Sequence, residues 1–211
     1  MRAFLLSFFG VLLPHLLLAQ GFQSGSCIFG NDSQTRHVGM IRLHSNYLDF
    51  KNGKGEVVKL LPEDVYRFQI GNCNFTTASG FIVPTVTAEK VMKLTFVQLL
   101  DSGQVVLMRY NEENRYAPIM GSGGSMMSYG GAYTLNTYLL QRPNEEEATS
   151  LPKNSKELRL ALAPYVQNRG DLIKLLTDKR ISQRNLEAFI HSLNTGQPFV
   201  DVPRTGLASE F

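Results

Sequence analysis

The sequence has no tryptophan, only 2 cysteines and 4 histidines in 211 residues, and only 18% of it is charged. Each shortage closes off a class. Two cysteines cannot make a disulfide-dense scaffold. Neither Cys-x-x-Cys nor His-x-x-x-His spacing occurs, so a zinc site has no sequence support. A chain that is 43% hydrophobic is not disordered in bulk, and its 18 glycines follow no three-residue repeat, which excludes a collagen helix. The formal charge of +3 is too small to indicate nucleic acid, and no nucleic-acid partner is expected. Beyond the first twenty residues no apolar run is long enough to cross a bilayer as a helix.

The N-terminus carries the clearest signal. Arg2 is followed by an almost wholly apolar stretch from Ala3 to Ala19, interrupted by Ser7, Pro14 and His15. This is the pattern of a secretory signal peptide, with cleavage expected after Ala19 or after Gly21; the alternative is an uncleaved anchor, the run being near the lower length limit for a span. The chain is therefore expected to be exported, to the periplasm, the outer membrane or the medium. Removal of residues 1–19 leaves 192 residues, with 20 basic against 18 acidic. Cys27 and Cys73 both remain, and in an oxidising compartment they either pair or stand as two free thiols.

Residues 20–36 read as a flexible stretch and residues 37–141 as strands. Tyr47–Lys51 and Val57–Leu60 flank Asn52-Gly53, which predicts a hairpin with a tight two-residue turn. Pro62-Glu63-Asp64 is a turn, and Val65–Ile70 alternates with period two, placing Tyr66, Phe68 and Ile70 on one face. Val91–Leu100 and Val105–Tyr110 form a second hairpin pair, and Tyr133–Gln141 a further strand. Residues 142–154 are Pro- and Glu-rich and read as a linker.

From residue 155 the period becomes helical. Three short helices are expected over 155–194, capped by Ser155, Asp171 and Ser182, with a loose tail over 195–211. The fold class is α+β: a mostly antiparallel sheet or small barrel, then about three helices packed on it, since helices this short bury too little surface alone. Residues 153–193 carry eight basic and four acidic side chains, whereas residues 20–152 are almost balanced. The basic helices, through Lys174, Lys179, Arg180 and Arg184, are therefore a candidate surface for an acidic partner or anionic envelope surface.

Several segments together resemble a family. Leu48-Asp49-Phe50 with Leu61 to Phe68 is similar to the strand and P-E-D-I-x-x-F turn of a group of exported Bacteroidota proteins. The hairpin Leu94–Leu107, the Tyr138-Leu139-Leu140 strand and the helices from Lys156 to Ile190 follow in the same order. The resemblance covers about residues 46–194. The chain departs from the group in the loop 121–131 and its two cysteines. It also has His191-Ser192-Leu193-Asn194 where a Tyr-Asn would be expected. What the resemblance implies is a compartment and an architecture, with no reaction attached.

Motifs for chemistry are sparse. The glycine-rich stretch Gly121–Gly131 lacks the strand–helix frame and the Gly-Lys-Ser/Thr of a phosphate loop. It reads as a loop whose Met126, Met127 and Tyr129 offer an adaptable contact surface. Ser125 and Ser128 lack a Gly-x-Ser-x-Gly elbow. His37, His44 and His191 read as surface or edge histidines. Glu112, Glu113 and Asn114 follow a strand without the spacing of a calcium loop. No catalytic residue, cofactor or metal site is assigned. The leading expectation is a non-catalytic interaction or structural module of the envelope, bound to an envelope protein or an anionic surface. The alternatives are an enzyme with a pocket between sheet and helices, and a peripheral membrane binder acting through the basic helices.

Overall fold

The computed structural model describes residues 21–84, 88–116, 119–120, 126–128 and 131–201, without the side chains of Ser33 and of 113–133. The segment 1–19 lies outside the described residues, as does the tail beyond 201. The molecule is α+β, as its patterning implies. One antiparallel sheet of ten strands, open rather than closed into a barrel, is followed by three helices.

The strands of the large sheet are β1 (Gln23–Phe29), β2 (Asp32–Leu43), β3 (Leu48–Lys51), β4 (Val57–Leu60), β5 (Val65–Ile70) and β6 (Cys73–Ala78). A small separate hairpin, β7 (Ile82–Pro84) and β8 (Glu89–Val91), interrupts them. The sheet resumes with β9 (Thr95–Ser102) and β10 (Val106–Tyr116). A second small pair, β11 (Ile119–Met120) and β12 (Met126–Ser128), precedes β13 (Gly131–Gln141) and β14 (Thr149–Ser150). The spatial order is β14-β13-β10-β9-β6-β5-β1-β2-β3-β4.

The stretch 20–36 is not a flexible leader. It holds β1, a central strand paired with β2 on one side and β5 on the other. Its glycine and serines mislead when read alone, because Gly25 faces Gly39 across the β1–β2 pair at a point where no side chain fits. A Cβ on Gly39 would lie 2.8 Å from the Phe50 ring, and one on Gly25 would overlap the Gln69 carbonyl oxygen. This close approach lets the sheet curl over its own apolar face. There Cys27, Ile41, Leu48, Phe50, Phe68 and Phe96 form a core whose members all come from β1–β6 and β9.

The curl also decides the cysteines. Cys27 stands in line with Phe68 and Phe75 across three strands, and Cys73 lies two residues further along β6. Strand spacing and rise put their Cα atoms about 12 Å apart, beyond the roughly 7 Å that a disulfide spans. The stacked rings of Phe68 and Phe75, with centroids 4.7 Å apart, occupy the intervening face. Both thiols are free, Cys27 buried and Cys73 exposed, so the pairing is excluded.

The expected hairpin turn at Asn52-Gly53 is a longer loop, because Lys51 pairs with Val57. The Asn52 side chain organises it by accepting from the backbone N–H of Lys54 (2.9 Å) and Glu56 (3.1 Å), and the left-handed residue is Gly55, at φ +87°. The expected linker 142–154 is part of the body: β14 pairs with β13, while Ala148 and Leu151 are buried on either side of it.

The helices are α1 (Ser155–Leu162), α2 (Gly170–Thr177) and α3 (Leu186–Thr195). Asn154, not Ser155, caps α1, accepting from the N–H of Lys156 and Glu157. The second helix starts before Asp171, which forms a two-pronged pair with Arg169 instead of capping. Ser182 is the N-cap of the short 3-10 turn (Gln183–Asn185) that leads into α3, and the Asn185 side chain completes a capping box by accepting from the Ser182 N–H (3.0 Å). Gly196, at φ +74°, ends the helix. All three helices cover one face of β9, β10 and β13, where Leu107 and Leu140 join Leu158, Leu162, Leu172, Leu186, Phe189 and Ile190. On the other face of the same strands, Met108 and Leu139 pack with Phe81, Val83 and Met92 of the β7–β8 region. The start of the tail is tied down as well: Gln197 accepts from Arg169, and Asp201 from Asn185. Among the described residues no helix is long and apolar enough to cross a membrane.

Candidate functional site

Two histidine–carboxylate groups are assembled by the fold, and both hold structure together. On β2 and β3, Asp49 accepts from Arg42 Nε (3.1 Å) and Nη2 (2.7 Å) and lies 3.1 Å from His44 Nε2. The Arg42 hydrogen bond, helped by His44, holds the Asp49 carboxyl below the ordinary aspartate range against the opposing effect of burial. His44 stacks on Tyr47, so its ring is fixed on both sides. At the helix–sheet junction, Asp101 accepts from Asn194 Nδ2 and lies beside His191 Nδ1, each at 2.8 Å. The Asn194 amide also brackets Val105, accepting from its N–H (3.0 Å) and donating to its C=O (2.9 Å). This clamps α3 to the β9–β10 turn. The Asp101–His191 pair has the orienting half of a catalytic triad, but no described hydroxyl or thiol is hydrogen-bonded to the imidazole. His37 lies on β2, its ring stacked on Phe29. Among the described residues no group of three or more His, Cys, Asp or Glu is placed to hold a metal ion.

A cleft with a mixed lining lies on the face away from the helices. It is an open depression of about 440 Å³ between the β7–β8 hairpin and residues 147–153. Phe81, Ile82 and Ala148 give it apolar walls, and Glu89, Glu147 and Lys153 stand around it. Ser150 staples its two sides: its hydroxyl accepts from the Ile82 N–H (3.0 Å) and donates to the Ile82 C=O (2.5 Å). That hydroxyl's one proton is committed to the Ile82 carbonyl, and no described base is hydrogen-bonded to it. Gly80, at φ +77°, lies directly under the Glu147 side chain, which leaves no room for a Cβ. Thr137 also lines the cleft; it is only 4% exposed and its Oγ1 has no hydrogen-bond partner. Beside it across the β10–β13 ladder, Tyr110 is buried against Phe81, and burial, reinforced by Glu112, pushes its phenol pKa up.

A second depression, about 450 Å³, is lined by Gln104, Arg142, Glu145 and Tyr165 among others. Its charges are spent on each other: Arg142 pairs with Glu145 at 3.0 Å and lies over the Tyr165 ring.

The sequence-derived candidates do not converge. Lys174, Lys179, Arg180 and Arg184 are exposed, but they lie on the helical layer, opposite the cleft. The backbone of Met126 and Met127 forms β12, which pairs with β11 outside the large sheet. Their side chains, and Tyr129 altogether, lie outside the described residues. Glu112, Glu113 and Asn114 are inside β10, not in a loop after it, because β10 pairs with β13 as far as Tyr116. Sequence reasoning missed the cleft. Its one visible signal was the run of small and apolar residues Ala148–Leu151 inside a segment otherwise read as a polar linker. No protein-family model, curated protein or solved structure matches this chain.

Proposed function

We propose that this is an exported, non-catalytic binding module of the cell envelope, as the N-terminal apolar segment and the resemblance to exported Bacteroidota proteins imply, and that the cleft beside β7–β8 is its binding site. The observation that carries the reading is the chemistry of that cleft. It offers an apolar wall over the buried, unpartnered Thr137 hydroxyl, and a charged rim. No histidine or cysteine lines it, and its only serine is bonded on both sides. Such a lining suits an amphipathic segment of a partner.

The test is capture from envelope fractions with the wild type beside Ile82→Asp and Thr149→Arg, two exposed positions on the cleft. A partner recovered with the wild type and lost with both variants, at unchanged melting temperature, supports the reading. Equal recovery with all three, or no specific partner, refutes it.

A further inference from the structure

A second uneven charge distribution lies neither on the helices nor in the cleft. Residues 20–72 contain six basic and five acidic side chains, a net of only +1 as a sequence. The sheet sorts them. Strand alternation puts Cys27, Ile41, Leu48, Phe50, Leu60 and Phe68 inside the curl, so their neighbours point outward. Those neighbours include Arg36, Arg42, Lys51, Lys59 and Arg67, five of the six cations. Of the acids only Asp49 shares this face, and Arg42 and His44 hold it. Asp32, Glu56, Glu63 and Asp64 stand at the hairpin ends and turns.

Between the cations, apolar side chains point into solvent. Val38 is 75% exposed, Val57 53% and Met40 37%. Met40, Lys51 and Val57 stand directly abreast across β2, β3 and β4, and Arg42, Asp49 and Lys59 form the next row. The face is the outer, convex side of the curl, so it cannot enclose a small ligand. We propose that this outer face of β1–β5 docks on a bilayer surface containing anionic lipids, the cations meeting headgroup phosphates and Val38, Met40 and Val57 entering the headgroup layer. An acidic polypeptide would use the cations but leave the interleaved apolar residues in water; a bilayer uses both. The basic helices are the lesser candidate, since Asp171, Asp178 and Glu187 are interspersed there.

The test is co-sedimentation of the full chain with phosphatidylcholine vesicles and with vesicles also containing phosphatidylglycerol, at low and high salt. The N-terminal apolar segment is common to all variants, so only the difference between lipid compositions is read. The wild type is expected to bind the anionic vesicles more tightly, with the excess lost at high salt. Arg36→Gln with Lys51→Gln should lower anionic-vesicle partitioning about 30-fold, from about 1 kcal/mol per cation, and Lys59→Gln with Arg67→Gln similarly. Lys174→Gln with Lys179→Gln should leave it unchanged. Val38→Ser should shrink the excess of anionic over neutral vesicle binding. Unchanged binding in the two sheet-face pairs overturns the proposal, as does equal binding of the wild type to the two lipid compositions. Either failure leaves the cleft reading standing, because no cleft residue is altered.

Discussion

At the residue scale, several side chains are held where their chemistry is suppressed. Burial pushes the Cys27 thiol up to about 12, so it is neither a nucleophile nor readily oxidised. A thiol reagent is expected to modify Cys73 quickly in the native protein, and Cys27 only on unfolding. Two fast-reacting thiols, or none, would contradict the placement of these residues. Asp49 contributes to stability with a definite sign. Its folded carboxyl lies below the ordinary aspartate range, so its contribution is present above that range and is lost as pH falls through the folded value. Asp49→Asn should cost about 1 kcal/mol at neutral pH, the modest figure reflecting the half-exposed Arg42. The difference from wild type should vanish in acid denaturation series. Thr137→Val should be neutral or stabilising by up to about 1 kcal/mol, because its buried hydroxyl has no partner to lose. A clear loss in thermal melts would mean that the hydroxyl is satisfied after all.

At the element scale, glycine and its absence mark the points of tension. Gly39→Ala would drive a Cβ against the Phe50 ring and the Lys51 carbonyl, where the curl leaves no space, and should destabilise by about 1–3 kcal/mol in denaturant titration. Lys179 presents the opposite case. It takes the left-handed conformation just past α2, at φ 58°, a position usually filled by glycine. Lys179→Gly should raise stability by about 0.5–1 kcal/mol. A loss would mean that the lysine stem contributes contacts outweighing its backbone strain. Asn, Ser and Asp are comparable N-caps, so composition alone does not fix which residue closes a helix: Asn154 rather than Ser155 caps α1, and Asp171 lies inside the first turn of α2.

At the scale of the whole molecule, the helices are a layer of the sheet's core. Phe189, Ile190 and Leu193 share one apolar cluster with Val105, Leu107 and Leu140, and Asn194 and Arg169 tie the helix ends to the β9–β10 turn and to the tail. Helix and sheet signals should therefore be lost in a single thermal transition. Phe189→Ala should lower both together, by about 3–5 kcal/mol. Two separate transitions would show that the helical segment is independent of the sheet. The cleft and the basic face lie on the same outer side of the sheet but in different halves, one flanked by β7–β8 and β14, the other on β1–β5.

Fold class, the β-then-α order, the strands near 47–51, 57–60, 65–70, 95–110 and 133–141 and the three helices were legible in local pattern, because period and turn residues act within a few positions; β6 (Cys73–Ala78) and the small β7–β8 and β11–β12 pairs were not. Less was legible where a residue's role depends on a distant one. The glycines and serines of β1 read as flexible because their partner, Gly39, lies in another strand. Residues 148–151 read as linker because the strand and the hairpin that bury them are remote in sequence. The Asp101–Asn194 clamp joins positions that no local window contains. Charge is the plainest case. By itself the sequence determined that residues 20–72 are near neutral; only the curl of the sheet decided that the cations share one outward face while the acids go to the turns. Alternation assigns residues to opposite faces, but burial of the aromatic core determines which face meets water.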